Sequence, residues 1–209
     1  MKITKYEHAC FTVEKDGQIL VVDPGAFTTD FIAPENVVAV VITHEHQDHF
    51  DHEQLAAIVD KNPDAVIIGH ESVTSKIEAF ETKTVQAGDK ITVGEFDLEF
   101  FGGDHALIHD SIPRAANLGV MINELLYFPG DSFTLPNKPV DTLAIPATAP
   151  WMKIGEAMDF LVAVNPRLAF PTHDAILSDA GKGLSDSLLG SIASASGTEY
   201  KRLETPLEI

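Results

Sequence analysis

The chain has 209 residues, 44% of them hydrophobic, and a formal charge of −18 from 32 acidic against 14 basic side chains. That length suffices for one domain with a sizeable core, while Cys10, the only cysteine, excludes an intrachain disulfide and a thiolate metal cluster. With no basic block to track a phosphate backbone and no apolar run near the ~20 residues that span a bilayer, the expectation is a soluble, cytoplasmic single domain over residues 1–209, with neither nucleic acid nor membrane as partner.

Turn signals such as Asp16-Gly17, Asn62-Pro63 and Pro129-Gly130 punctuate short apolar runs at close intervals, the pattern of a densely folded α/β chain. Alternating or continuous apolar runs predict strands at Cys10–Glu14, Gln18–Val22 and Val37–Ile42, followed by a helix over Glu53–Asp60 that Asp51 can cap. A strand at Ala65–Ile68 and a helix at Val73–Phe80 come next. The middle of the chain predicts strands at Lys90–Val93, Asp97–Phe101, Leu118–Ile122, Leu125–Phe128 and Thr142–Ile145. A helix over Ile154–Val164 ends at Asn165-Pro166, and a strand at Arg167–Phe170 and a helix around Leu184–Ala195 complete the series.

Polar residues of metal-ligand type recur where these strands end. Val22 runs into Asp23, Thr43 into His44, Gly69 into His70, Phe128 through Pro129-Gly130 into Asp131, and Phe170 through Pro171-Thr172 into His173. Strand ends joined to short loops can gather side chains from distant positions at one sheet edge, where α/β folds place their chemistry. The densest group is Thr43-His44-Glu45-His46-Gln47-Asp48-His49. His44 and His46 are two apart, which puts both on one side of an extended segment; a helical zinc site uses His-Glu-x-x-His, with ligands one turn apart, and this chain has none. Asp48 and His49 follow directly, so a turn after His46 can aim them at a second ion. Read as purely structural, the same histidines would cap the next helix and bond to the backbone.

The segment Thr43–His49 resembles the signature of the metallo-β-lactamase superfamily, and other parts of that family's pattern occur downstream in order: His105 after Gly102-Gly103-Asp104, Asp131 in Pro129-Gly130-Asp131-Ser132, and His173 in Pro171-Thr172-His173. Val21-Val22-Asp23-Pro24-Gly25 also fits the family's pattern, in which this aspartate lies behind the site and orients ligands. The resemblance implies an α/β fold, a four-layer αββα sandwich with its site at one edge between the sheets. It further implies His44, His46 and His105 on a first metal, Asp48, His49 and His173 on a second, and Asp131 bridging. His8-Ala9, with the turn Asp16-Gly17, resembles the small bacterial branch that includes L-ascorbate-6-phosphate lactonase.

Two divalent ions are therefore expected as cofactors, zinc first, with manganese or iron also suited to imidazole and carboxylate ligands. Histidine ligands are neutral, so two such ions, Asp48, Asp131 and one hydroxide leave the centre at about +1, which suits a small anionic substrate despite the acidic surface. The expected function is hydrolysis of an ester, lactone or phosphoester, with water activated between the ions and Asp48 and Asp131 in catalytic roles. The reading from another class is a non-catalytic metal-binding or sensing domain. His109 rivals His105 as a ligand, although the glycine pair favours His105. His8, Arg114, Asn117 and Lys153 are candidates for substrate contact, and Trp151 for a pocket wall. His52 and His70 read as a helix-start contact and a strand-end surface residue. The short run from Asp131 to His173 leaves no room for the cap domain of nuclease branches, and an amidohydrolase barrel needs ~250 residues in eight βα units. A homo-oligomer is compatible with the sequence.

Overall fold

A computed structural model describes residues 1–209. Two seven-stranded sheets face each other. The first contains β1 (Lys2–Lys5), β2 (Phe11–Lys15), β3 (Gln18–Val22), β4 (Val37–Ile42), β5 (Val66–Gly69), β6 (Thr82–Thr84) and β14 (Leu207–Glu208), in the order β14-β1-β2-β3-β4-β5-β6. The second contains β7 (Lys90–Val93), β8 (Phe96–Asp104), β9 (Ala116–Ile122), β10 (Leu126–Phe128), β11 (Thr142–Pro146), β12 (Leu168–Thr172) and β13 (Glu199–Tyr200), in the order β13-β12-β11-β10-β9-β8-β7. Helices α1 (His52–Lys61) and α2 (Glu71–Thr74) cover the first sheet, and α3 (Ile154–Val164) and α4 (Asp179–Ser196) cover the second.

The two-residue period of a strand builds these layers. On β3 and β4, Leu20, Val22, Ala39 and Val41 enter the core between the sheets, while Val21, Val40 and Ile42 face Leu55 and Ile58 of α1. On β11 and β12, Ala144, Leu168 and Phe170 point inward, and Leu143, Ile145 and Ala169 meet Phe160 and Leu161 of α3 and Leu189 of α4. Strands buried on both faces read as continuous apolar runs, which is how Val37–Ile42 appears in the sequence. The expected four-layer αββα sandwich is the observed architecture, and no helix is long and apolar enough to cross a membrane.

Capping explains the helix bounds. The Asp51 carboxylate accepts from the Gln54 N–H at 2.9 Å and starts α1. Asn165 takes a left-handed conformation (φ 49°) that ends α3 ahead of Pro166. Helix α4 begins earlier than Leu184 because Ser178 caps it, accepting from the Gly181 N–H.

The helix expected over Val73–Phe80 is a correction. Only Glu71–Thr74 is helical, because the His70 ring caps that turn and the chain then returns so that β6 can pair with β5, a return pinned where the Thr74 and Thr84 hydroxyls meet at 2.7 Å. Strand β8 also continues past Phe101, its ladder on β9 running through Gly102–Leu118 to Asp104–Ala116. The short strands β6, β13 and β14 carry no pattern of their own and exist through their pairing partners.

Phe11 is fully buried between the sheets, edge-on to Phe128 and Phe170. Phe11→Ala should cost about 3–5 kcal/mol. Urea unfolding should show this as a lower midpoint at unchanged slope, and a loss below ~1 kcal/mol would mean that the inter-sheet core closes over the gap.

Candidate metal centre

Strands β3 to β6 form one parallel run in the first sheet and β10 to β13 another in the second, so within each run the carboxyl ends lie on one side. At one edge the sheets touch through their main chains. The Leu118 N–H donates to the Thr43 carbonyl at 2.9 Å, and His44 forms an isolated antiparallel bridge with Asn117. Gly130 (φ 63°) allows this approach, since a Cβ there would lie 2.3 Å from Asn117 Oδ1 and 2.9 Å from Thr43 Cβ.

The strand exits bring His44, His46, Asp48, His49, His105, Asp131 and His173 together. Potential ligand atoms of His44, His46 and His105 lie within 4.8 Å of one another, as do those of His8, Asp48, His49 and His173, and those of His44, His49 and Asp131. Asp131 spans the gap: its Oδ2 is 3.3 Å from His105 Nε2 and 3.1 Å from His173 Nε2, and its Oδ1 is 3.2 Å from His49 Nε2. None of these approaches has hydrogen-bond geometry. Of the five buried side-chain polar atoms left without a partner, four are His49 Nε2, His105 Nε2, His173 Nε2 and Asp131 Oδ1, all pointing into this centre. Unpaired polar atoms are costly in a protein interior, and four of them converging fit a cation.

The opposite ring nitrogens explain the orientation. The Thr43 hydroxyl donates to Asp23 Oδ2 at 2.6 Å, so toward His44 Nδ1, 3.1 Å away, it can only accept. His44 therefore carries its proton on Nδ1 and presents a bare Nε2, 3.1 Å from His46 Nδ1. His49 Nδ1 lies 2.6 Å from Asp23 Oδ2, His105 Nδ1 2.5 Å from the Ala106 carbonyl and His173 Nδ1 2.7 Å from the Thr148 carbonyl. Each acceptor keeps the proton on Nδ1 and turns Nε2 toward the centre, the arrangement expected around metal-ligating histidines.

Charge follows from the same packing. Burial opposes ionisation of Asp131, yet the adjoining His49 and His173 hold its carboxyl well below the usual range; Asp48 is likewise lowered against burial by His173 and His8. Burial would lower His173, but Asp131 and Asp48 raise it to about 9. His49 is also raised against burial, by Asp131 and Asp23, whereas burial and His49 keep His44 well below its ordinary value. A divalent cation competes for the sites these protons occupy and would release them on binding. His46 and Asp48 are the two of the seven that are not buried, so the centre opens to solvent on their side.

The remaining candidates separate. Asp23 lies behind the centre, accepting from the Thr43 N–H at 2.8 Å as well as from the Thr43 hydroxyl and His49. Asn117 is fully buried and grips the Pro129–Asp131 turn, its amide donating to the Pro129 carbonyl and its oxygen accepting from the Asp131 N–H, so the expected substrate contact is corrected to a main-chain clamp. His8 is also fully buried, against Asp48. Arg114 is exposed beside Asp104 and lines a small crevice with His46 and His105. Lys153 is exposed at the start of α3, its N–H bonded to Glu156. His109 is exposed and bonded to Ser111, away from the cluster, and His70 caps α2. Trp151, the expected pocket wall, donates its indole N–H to Asp131 Oδ2 at 2.8 Å and sets its ring edge-on to His105. A lone aromatic beside a proline carries no sequence signal for that bond.

Trp151 is the only tryptophan. Its emission should therefore change as metal is titrated in and stop changing once the centre is filled; constant emission while calorimetry records binding would place the metal away from Asp131. Gly25 passes so close to the following loop that a Cβ would lie 2.0 Å from the Asp48 carbonyl oxygen and 2.4 Å from the His49 nitrogen. Gly25→Ala should cost about 1–3 kcal/mol and displace Asp48 and His49. Thermal melts and metal uptake measured together should both fall.

The family profile described as Beta-lactamase superfamily domain matches residues 2–173. Protein Rv0786c of Mycobacterium tuberculosis is 35% identical over 189 residues, covering 88% of this chain and 89% of that protein. A UPF0173 metal-dependent hydrolase of Carboxydothermus hydrogenoformans is 26% identical over 208 residues, covering 87% of this chain and 90% of its own. In fold, the chain is similar to the metallo hydrolase Igni18 of Ignicoccus hospitalis, with a TM-score of 0.75 at 19% identity over 100% of this chain and 98% of that one. With the profile spanning most of the chain and a relative this similar across nearly its full length, the chain belongs to the metallo-β-lactamase superfamily of metal-dependent hydrolases.

Proposed function

We propose that this protein is a hydrolase with two divalent metal ions that cleaves an ester, lactone or phosphoester bond of a small substrate, on one domain formed by residues 1–209. The observation that carries the reading is the convergence of unpartnered, buried ligand atoms at an edge that stays open beside His46 and Asp48. His44, His46 and His105 would hold one ion, Asp48, His49 and His173 the other, with Asp131 between them. Zinc is the first expectation and manganese the second, since nitrogen and oxygen donors suit both.

Bound ions would bring the pKa of water down to roughly 7 and stabilise the oxyanion that develops on attack. The chain's own groups do the rest. Asp23, Ala106 and Thr148 keep the histidine rings turned inward. Asp48, on the open side, is placed to take a proton from the attacking water or to return one to the leaving group. Trp151 and Asn117 fix the Asp131 carboxylate and its main chain. A non-catalytic sensing role would not need this open side, which is what favours the enzyme.

Elemental analysis of protein purified without added metal should find about two equivalents of zinc, manganese or iron, falling in both His46→Ala and His173→Ala. Asp48→Ala and Asp131→Ala should keep a native circular dichroism spectrum and lose at least ~100-fold in turnover in a screen of lactones and phosphodiesters. Folded protein that takes up no metal after reconstitution would overturn the reading.

A further inference from the structure

His8 differs from every other histidine around the centre. It sits in the turn before β2 with a left-handed backbone (φ 54°), it is fully buried, and its ring lies 4.0 Å from that of His173. Its Nε2 is 3.0 Å from Asp48 Oδ2, and together with Asp48, His49 and His173 it forms a group able to surround an ion. Proximity alone would make it a further metal ligand.

The opposite ring nitrogen decides against that. His8 Nδ1 faces the main-chain N–H of Ala175, which can only donate, at 3.3 Å. Nδ1 must then be the bare nitrogen and Nε2 the protonated one. The four histidines with an acceptor or hydroxyl behind Nδ1 keep that nitrogen's proton and leave Nε2 as the atom a metal can take; His8 is committed to an N–H inward, and what it meets is the Asp48 carboxylate. Its carbonyl accepts the His173 N–H at 2.9 Å and is itself held by Lys5 Nζ at 2.6 Å.

We infer that His8 is a positioning residue for the second metal position: its Nε2–H fixes the Asp48 carboxylate, its carbonyl fixes His173, and it neither ligates metal nor touches substrate. Asp48 needs such a partner because it stands on the open side of the centre, where an unanchored carboxylate is free to rotate into solvent. The inference rests on the ligand reading proposed above. Donors that orient a ligating carboxylate typically change metal affinity 10–100-fold.

The test is zinc binding by calorimetry on the full chain, comparing the wild type with His8→Phe, which keeps a ring but removes the donor, and His8→Gln, whose amide can still donate to Asp48. Both replacements put a residue other than Asn, Asp or His at a left-handed position, and His8→Gln restores the donor that His8→Phe lacks. One of the two equivalents should bind about 10–100-fold less tightly in His8→Phe and recover in part in His8→Gln, with the other unchanged in both. Long-range proton–nitrogen spectra of the zinc-loaded wild type should show His8 protonated at Nε2 and bare at Nδ1. Equal binding of both equivalents in His8→Phe overturns the inference, and so does a metal-bound His8 Nε2. A wild type that binds fewer than two equivalents overturns the underlying ligand reading, and is recognised before any variant is compared.

Discussion

Asp23 is the constraint on which the rest of the centre depends. It is fully buried at the end of β3, in a left-handed conformation (φ 45°), and three donors reach it: the Thr43 main chain, the Thr43 hydroxyl and the His49 ring. Burial pushes its carboxyl up and these contacts pull it down, so the group is held in place by the partners it organises. Through the Thr43 hydroxyl it sets the tautomer of His44, and directly it sets that of His49. One carboxylate thereby aims one histidine of each proposed metal position.

The backbone is arranged around the same edge. Asp23, His8 and His173 all adopt positive φ, a conformation uncommon for residues other than glycine and tolerated best by Asn, Asp and His. Asp23 and His173 directly follow β3 and β12, and His8 lies in the turn ahead of β2. Gly25 and Gly130 supply the close approaches that side chains would block. Strained and close-packed turns concentrated at one place are what a preorganised site requires, and the rigid sheets on either side hold them there.

The charge of the whole chain does not fix the charge at the centre. The chain carries a formal charge of −18, but the centre contributes only Asp48, Asp131 and the Asp23 behind them, surrounded by imidazoles. Under the two-metal reading proposed above, the ions would outweigh the ligand carboxylates, and a substrate's anionic group would meet a locally cationic pocket within an acidic surface.

Most of the longer strands and the candidate ligands can be read from local sequence. Val37–Ile42, Gln18–Val22, Lys90–Val93 and Ile154–Val164 were legible to the residue, because apolar periodicity and caps are local properties. The histidines and aspartates at strand exits were legible because ligand chemistry is written in residue type and spacing. The tertiary structure alone decided the rest. It showed that the Val73–Phe80 segment gives up its helix to bring β6 onto β5, that Asn117 clamps a turn, and that Trp151 donates to Asp131. Above all it separated His8 from the other histidines. An imidazole's role depends on what stands behind its second nitrogen, and for His8 that is the N–H of Ala175, which lies far along the chain and comes close only when the two sheets have packed.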